Sequence, residues 1–427
     1  MIVFNLNPHQ SSKNFIYFPS ELSLIREING FNIYFSSLEC KMVISHKEEG
    51  VEKEIINAKP LNYSDILTPK YVLSIFMTTK CNLNCNYCYA KGQQTIYYHQ
   101  NFESVKTFLE TFIKKRSKKI DRVRFQGGGE PTLEINLIEK IINYAKNKFN
   151  IKKFEIQSNL LFDDKVAKFI GQNFTYVYAS IDGPEDIQFK NRGVTPNQNK
   201  IIEKNLKYLL TTVPHFVIRS TITKYSCEKM EEIVDYFINV GVKNAVFEPV
   251  FKMGKAKYSS NEYNTPPSFN SFLSKFVEIK KYAEKKYLFI FSCFLPLEYS
   301  GLYYCGGSSC YSICLTTDNF ISTCDEHFLG QQDDSPFIIG RFDKLRKKII
   351  YNRNNIKLLK NRNVVNLNSC KNCFLRWSCR GQCPSRTLDN TGDIYKPDQS
   401  KCKWIKKYSK EYLLYKAKQI LKENDYI

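Results

Sequence analysis

No apolar run in this 427-residue chain approaches the ~18 residues a membrane helix needs; the best, Leu288 to Leu297, is far too short. The N-terminus, Met1-Ile2-Val3-Phe4-Asn5-Leu6-Asn7-Pro8, lacks the basic region, long apolar stretch and cleavage site of a signal peptide. A cytoplasmic protein without membrane insertion is therefore expected. Acidic residues are scarce: 42 Asp and Glu face 63 Lys and Arg, a formal net charge of +21. That balance suits nucleic acid, an anionic membrane surface or an acidic partner. The basic residues are spread along the whole chain, however, with only short runs such as Lys114-Lys115-Arg116 and Lys406-Lys407. Composition permits an acidic partner without identifying one: solubility and compositional bias are the first reading, an acidic peptide the second and nucleic acid the third. Low complexity is excluded by 43% hydrophobic and 14% aromatic residues. The length suggests two or three domains at roughly 150 residues each.

Cysteine, by contrast, is plentiful. There are 15, most of them in two groups. A long chain without an export signal sits in a reducing compartment, so clustered thiols point to metal rather than to disulfides.

From Tyr71 to about Val250, short apolar runs alternate with longer amphipathic ones. Strands are expected over Tyr71–Thr78, Val123–Gln126, Phe154–Gln157, Tyr176–Ile181, Phe216–Ile222 and Ala245–Val250. Helices are expected over Phe102–Lys115, Ile135–Phe149, Asp163–Ile170, Lys200–Leu210 and Met230–Val240. This alternation predicts βα units around a parallel sheet, and six strands make an open or partial barrel. Ligands of such folds bind at the C-terminal strand ends, so a functional motif should follow a strand. The chain divides into an N-terminal extension (1–69), this core (70–250), a bridging region (251–304), where the rhythm stops apart from a basic helix over Phe272–Tyr287, and a C-terminal domain (305–427).

Directly after the first strand comes Cys81-Asn82-Leu83-Asn84-Cys85-Asn86-Tyr87-Cys88, three thiols spaced Cys-x3-Cys-x2-Cys. Three ligands can hold a [4Fe–4S] cubane whose fourth iron is left open to a substrate or cofactor. Zinc is the plainer alternative, but a structural zinc wants a fourth ligand and no nearby His or Cys supplies it. After the second strand stands Gln126-Gly127-Gly128-Gly129-Glu130-Pro131, which taken alone is a tight loop with an acceptor for a cation. These motifs, in these places, resemble the radical S-adenosylmethionine (SAM) superfamily. The resemblance implies a partial (β/α)6 TIM-like barrel. Cys81, Cys85 and Cys88 would hold the SAM-binding [4Fe–4S] cluster. Gly128, Gly129 and Glu130 would hold the amino group of SAM. Ser158 and Asn159 stand where the family has Thr-Asn-Gly; Leu160 departs from that Gly, so only a weak ribose contact carries over. Ser180 would contact SAM, and Arg192 would pair with its carboxylate, for which a guanidinium fork is suited; on its own it reads as a solvated loop arginine. Asp182 reads as a loop brace. The implied chemistry is one-electron cleavage of SAM to a 5′-deoxyadenosyl radical that abstracts hydrogen from substrate, fed by a donor such as flavodoxin or ferredoxin.

The second group comprises Cys305, Cys310 and Cys324, then Cys370, Cys373, Cys379, Cys383 and Cys402, with a hairpin expected at Asp318-Asn319. Eight thiols suffice for two more clusters, and the pattern resembles the SPASM domain of peptide- and protein-modifying radical SAM enzymes. The resemblance assigns Cys305, Cys310, Cys324 and Cys383 to a nearer auxiliary cluster, with Cys314 able to replace Cys310. It assigns Cys370, Cys373, Cys379 and Cys402 to an outer one. Zinc-ribbon sites are the alternative. Cys40, Cys227 and Cys293 are isolated and read as ordinary semi-buried residues. In the similar anaerobic sulfatase-maturing enzymes an Asp at the place of Asp325 accepts a substrate proton; here Asp325 is a candidate base or a cluster brace, and His327 is equally open.

The N-terminal extension is expected to be α+β, with strands over Asn14–Phe18 and Asn32–Phe35 and a helix over Leu22–Ile28. It would either grip the leader of a precursor peptide by strand addition or pack as a cap. A basic C-terminal helix over Lys406–Lys422 shows an apolar face at Leu413, Ala417 and Ile420 and would cover part of the SPASM domain. The expected function is radical SAM maturation of a ribosomally made peptide by side-chain cross-linking, carbon–carbon or thioether. Formylglycine formation on a sulfatase is the second enzyme reading, and a basic zinc protein binding nucleic acid the non-enzyme one.

Overall fold

The computed structural model describes residues 2–6, 22–47, 70–90, 97–116, 120–258, 261, 264–329, 335–343, 346 and 348–426. The chain forms two compact units, one of Met1–Thr68, Ser292–Cys305 and Asn361–Ile427, the other of Pro69–Phe291 and Gly306–Lys360. These cuts differ from the sequence divisions. The N-terminal segment shares a unit with the last part of the C-terminal domain, while 306–360 belongs with the barrel.

In the first unit, β1 (Ile2–Asn5), β2 (Leu22–Ile28), β3 (Phe31–Ser36) and β4 (Lys41–His46) form an antiparallel sheet ordered β1-β4-β3-β2. The helix expected over Leu22–Ile28 is therefore a strand. Asn29 (φ 48°) and Gly30 (φ 81°) are both left-handed, as a two-residue turn between paired strands requires. The strand expected at Asn14–Phe18 lies outside the described residues. The helix Gln399–Glu423 packs on β2 and β4 and buries Leu413, Ala417 and Ile420, the face expected. Its first turn is capped by Asp398, which accepts from the amides of Ser400 (3.0 Å) and Lys401 (3.4 Å). Leu38, Val364, Leu367, Cys370 and Trp377 form a shared core.

In the second unit one sheet runs through eleven strands. β5 (Tyr71–Phe76), β6 (Ile120–Gln126), β7 (Phe154–Ser158), β8 (Tyr176–Ser180), β9 (His215–Ile222) and β10 (Asn244–Pro249) are consecutive and parallel, as the alternation predicts. The helices between them carry recognisable signals. Ile138, Ile141, Ile142 and Ala145 are the buried face of Ile135–Phe149. Thr195 and Gln198 close a capping box ahead of Pro196–Thr212. The rhythm does not stop at 251. The helix Phe269–Lys285 leads to β11 (Phe289–Phe291), which adds in parallel to β10. On the opposite edge β12 (Ser312–Leu315) adds in parallel to β5, then β13 (Phe320–Ser322), β14 (Ile338–Asp343) and β15 (Lys348–Tyr351) follow antiparallel. The expected hairpin is the β12–β13 turn, with Asn319 at φ 69°. Among the described residues no helix is long and apolar enough to cross a membrane.

Candidate iron–sulfur and nucleotide site

The cysteine loop leaves β5 at its C-terminal end, and its asparagines tie it to the loops and helices that follow later strands. The Asn82 side chain donates to the Leu161 carbonyl (2.8 Å), Asn84 accepts from Lys255 Nζ (2.5 Å), and Asn86 donates to the Lys190 carbonyl (2.7 Å). The Asn86 amide also bonds the Asn191 carbonyl (3.0 Å). These anchors escape sequence reasoning, because their partners lie 79 to 171 residues away. Cys85 is close enough to Cys81 and Cys88 for each to bear on its charge; burial pushes its thiol up to about 11, opposed chiefly by Arg192.

Gly127, Gly128 and Gly129 make the tight turn after β6. A Cβ at Gly129 would stand 1.9 Å from the Lys80 carbonyl oxygen, and one at Gly128 2.6 Å from the Phe328 ring. The turn thus holds Glu130 against the start of the cysteine loop, its amide bonded to the Lys80 carbonyl (2.9 Å). Glu130 is buried. Its Oε1 accepts from the Thr132 amide (3.1 Å), the Thr132 hydroxyl (2.7 Å) and the Ser158 hydroxyl (2.8 Å), its Oε2 from the Asn159 amide alone (2.9 Å). No cation pairs with it among the described residues, and burial holds its carboxyl above the usual range despite these donors. Ser158 and Asn159 face protein: Asn159 Nδ2 donates to Asn82 Oδ1 (2.8 Å) and approaches Cys81 Sγ (3.9 Å). Leu160, where the family has Gly, is left-handed at φ 62° and wholly buried.

Ser180 ends β8, half-buried beside Arg219 of β9. Arg192 is buried at the end of the helix Glu185–Arg192. Its Nη1 donates to the Tyr87 hydroxyl (2.9 Å) and lies 3.6 Å from Asp182 Oδ1, while its Nε is buried without a partner. Tyr87 in turn donates to Asp182 Oδ2 (2.7 Å). Asp182 also accepts from the Thr221 amide (3.1 Å) and Asn191 (3.2 Å), which makes it the brace expected, with its carboxyl raised by burial.

Asp325 sits at the same mouth. Its Oδ1 accepts from Gln126 Nε2 (2.7 Å) and from the Cys314 thiol (3.4 Å); Arg124 Nη1 is 3.6 Å from Oδ2. Cys314 is buried on β12 among Phe76, Ala90 and Phe328, with its thiol committed to Asp325. His327 stacks on Phe337 (4.7 Å) and bonds Ser335 (2.9 Å). Below the mouth, Arg122 and Arg124 of β6 converge on the buried carboxylate of Glu155, a charged lumen the sequence reading missed.

In the first unit Cys370, Cys373, Cys379 and Cys402 bear on one another's charge, as an outer ligand set would. Gln382 Nε2 donates to Cys402 Sγ (3.0 Å). Cys305 and Cys383 belong to this unit, Cys310 and Cys324 to the other, and their grouping into one set stands on the resemblance to the SPASM domain alone. Cys40 is fully buried and its thiol is pushed to about 12 by burial. Among the described residues no three His, Cys, Asp or Glu converge on a single ion position; a cubane takes one thiolate per iron instead.

The donors fit the groups that the first motif implies: three neighbouring thiols, a buried carboxylate lacking a cation, and a buried guanidinium nitrogen lacking an acceptor. Residues 75–248 match the radical SAM superfamily model. An uncharacterized protein of Methanocaldococcus jannaschii is 32% identical over 48% of this chain and 70% of its own length. The radical SAM cyclopropyl synthase TigE of Paramaledivibacter caminithermalis is 22% identical over 77% of this chain and 71% of its own. The solved anSMEcpe structure with bound AdoMet and Cp18Cys peptide superposes at a TM-score of 0.62 and 20% identity, covering 82% of this chain and 100% of that one. The chain belongs to the radical SAM superfamily, and its barrel is that family's TIM-like α/β fold.

Proposed function

We propose that this radical SAM enzyme modifies a ribosomally synthesised peptide by joining side chains, through carbon–carbon (cyclophane-like) or thioether bonds. It would draw electrons from a carrier such as flavodoxin or ferredoxin. The observation that carries the reading is the loop 81–88, where three thiols stand at a parallel strand end between a buried carboxylate and a buried guanidinium. With a [4Fe–4S] cluster and SAM bound, the site gains a 5′-deoxyadenosyl radical able to take hydrogen from an unactivated carbon. Cys81, Cys85 and Cys88 would hold the cluster. Glu130 Oε2, with one donor, has room to accept from the amino group of SAM, and Arg192 Nε to donate to its carboxylate. Asn82, Asn84 and Asn86 fix the loop so that these groups keep their relation. Asp325, held by Gln126 and Cys314, would take the proton lost when a substrate radical is oxidised to a new bond. Cys370, Cys373, Cys379 and Cys402 would hold an outer cluster, and Cys305, Cys310, Cys324 and Cys383 a nearer one. The placement of Cys314 against Asp325 favours Cys310 as the ligand.

The likeness to a cyclopropyl synthase and to a peptide-bound fold supports a peptide substrate. Asp325 at the mouth favours a second reading, formylglycine formation on a sulfatase. The test is anaerobic. Three cubanes predict ~12 iron atoms per chain, and SAM with a strong reductant should release 5′-deoxyadenosine in the wild type and not in Cys85→Ala. A zinc-rich, iron-poor protein from iron-replete cells refutes the reading. Co-expression with a short peptide encoded next door, read by mass spectrometry, separates the two readings: a cross-link removes two hydrogens and ties two residues together in the fragment spectrum, whereas a formylglycine is an aldehyde confined to one residue.

A further inference from the structure

Arg362 is the largest fully buried side chain among the described residues. A guanidinium cannot shed its charge, so burying it demands a counter-charge as well as hydrogen-bond acceptors. The acceptors are backbone carbonyls: Nε donates to Ile394 (2.9 Å), Nη1 to Arg380 (3.2 Å) and Nη2 to Gly381 (2.5 Å). No carboxylate among the described residues pairs with it. The ionisable groups that bear on it most are four thiols, Cys383, Cys305, Cys370 and Cys379.

Two of its carbonyl partners lie in the loop from Cys379 to Cys383, which joins the outer cysteine set to the nearer one. That loop is unusual. Arg380 (φ 54°), Gly381 (φ 74°) and Gln382 (φ 65°) are left-handed in succession. Gln382 donates its amide to the Cys379 carbonyl (3.2 Å) and its side chain to the Cys402 thiol (3.0 Å). A Cβ at Gly381 would meet Leu367 Cδ1 at 2.1 Å, so the loop is pressed onto the core beneath it. The loop thus presents a side-chain donor to Cys402 while the guanidinium grips its carbonyls at 380 and 381.

We infer that Arg362 is a positioning residue shared by the two auxiliary cysteine sets, a fixed buried cation that neutralises the clusters they hold and raises their reduction potential. This rests on the reading of those cysteines as cluster ligands. An electron added beside a buried cation in a low-dielectric interior is stabilised; Lys401 and Lys406 also bear on these thiols but keep part of their surface in solvent, whereas Arg362 is wholly buried. Lysine can keep the charge but not the three-way fork.

The test uses full-length protein carrying Cys81→Ala, Cys85→Ala and Cys88→Ala, which leaves only auxiliary clusters, titrated anaerobically and followed by electron paramagnetic resonance. SAM cleavage by the wild type is scored separately, so a failure of the radical reading appears there and not in the titration. Arg362→Gln should cut the reduced-to-oxidised ratio at the parent midpoint at least tenfold, about 59 mV for a one-electron couple. Arg362→Lys should recover most of that shift. A purely structural clip would change iron content or unfolding temperature and leave the potential of the loaded clusters alone. The inference is overturned if Arg362→Gln titrates like its parent, if Arg362→Lys shifts as far as Gln, or if the auxiliary sites carry no iron. Should Arg362→Gln fail to hold clusters, Arg362→Lys decides: a midpoint near the parent supports the inference and a tenfold shift ends it.

Discussion

Gly129→Ala tests whether the glycine turn and the cysteine loop form one mechanical unit. The added methyl carbon would lie 1.9 Å from the Lys80 oxygen, 2.5 Å from its carbonyl carbon and 2.7 Å from the Thr79 carbonyl carbon. All three are backbone atoms, so no side chain can swing aside. Relief to ordinary contact requires more than 1 Å of movement in one of two segments. Either movement strains the bonds from Gly129 N to the Thr78 carbonyl (3.0 Å) and from Glu130 N to the Lys80 carbonyl (2.9 Å). Overpacking of ~1–3 kcal/mol and two weakened hydrogen bonds of ~0.5–1.5 kcal/mol each sum to ~2–6 kcal/mol. Much of a marginal stability would go, but the larger effect is functional. Cys81 follows Lys80 directly and Glu130 follows Gly129, so a 1 Å shift misaligns ligand and acceptor together, worth about 10²-fold in rate. Gly193→Ala is the control, left-handed (φ 66°) with nothing within 4 Å of the new carbon; it should cost only ~1–2 kcal/mol of backbone strain. The assay is 5′-deoxyadenosine release per iron-loaded chain. Wild-type release from Gly129→Ala would refute the coupling of turn to loop.

Three further outcomes follow from the same geometry. Burial raises the Glu130 carboxyl, so its ionised form costs the ligand-free protein stability above the folded-state pKa, and the cost is relieved as pH falls through it towards the ordinary value. An ammonium favours the ionised form, so SAM affinity, measured by calorimetry on loaded enzyme, should weaken as pH falls through that raised value; Glu130→Gln should bind weakly at every pH, and an unchanged pH profile in that variant would exclude the contact. Leu160→Gly restores the family residue and relieves ~1–2 kcal/mol of left-handed strain, yet loses a wholly buried side chain worth ~2–5 kcal/mol. Burial should win, lowering the denaturation midpoint; a rise would show that strain dominates. Asp325→Asn should leave 5′-deoxyadenosine release within about twofold of wild type while cross-linked product falls about 10²-fold, the upper range for a lost base being ~10⁴; equal product would assign Asp325 to bracing.

The parallel core was legible because buried strands read as short apolar runs and their helices show an apolar face every three to four residues. Ile135–Phe149 and Met230–Val240 begin and end where the pattern says they should. The cysteine motifs were legible because their spacing is local. Leu22–Ile28 was misread for an identifiable reason. Leu22, Ile25 and Ile28 are three apart, a helical interval, but the pairing with β3 slips between Leu24 and Arg26, so a bulge moves the apolar residues off strict alternation. Asn29-Gly30 carried the contrary signal of a hairpin, which outweighs a short periodicity when the segment is only seven residues long.

What stayed hidden are pairings across strands. Gln126 lies immediately before the glycine turn, and Asp325 lies 199 residues later. Nothing local links them. They meet because β12 adds in parallel to β5, Cys314 opposite Ser74, which carries the β12–β13 hairpin and the residues after it to the mouth of the barrel. The same addition turns the Cys314 thiol onto Asp325. A cysteine four residues from Cys310 that looked interchangeable with it is thereby set apart by strand geometry: it is buried in the wall, and its thiol donates to the carboxylate of Asp325. Asp325 is then held from two strands, by Gln126 of β6 and Cys314 of β12, with Arg124 beside its second oxygen. A carboxylate held on one oxygen, with a guanidinium beside the other, has a set orientation, which is what the proton transfer proposed for it requires and what a flexible loop aspartate would lack.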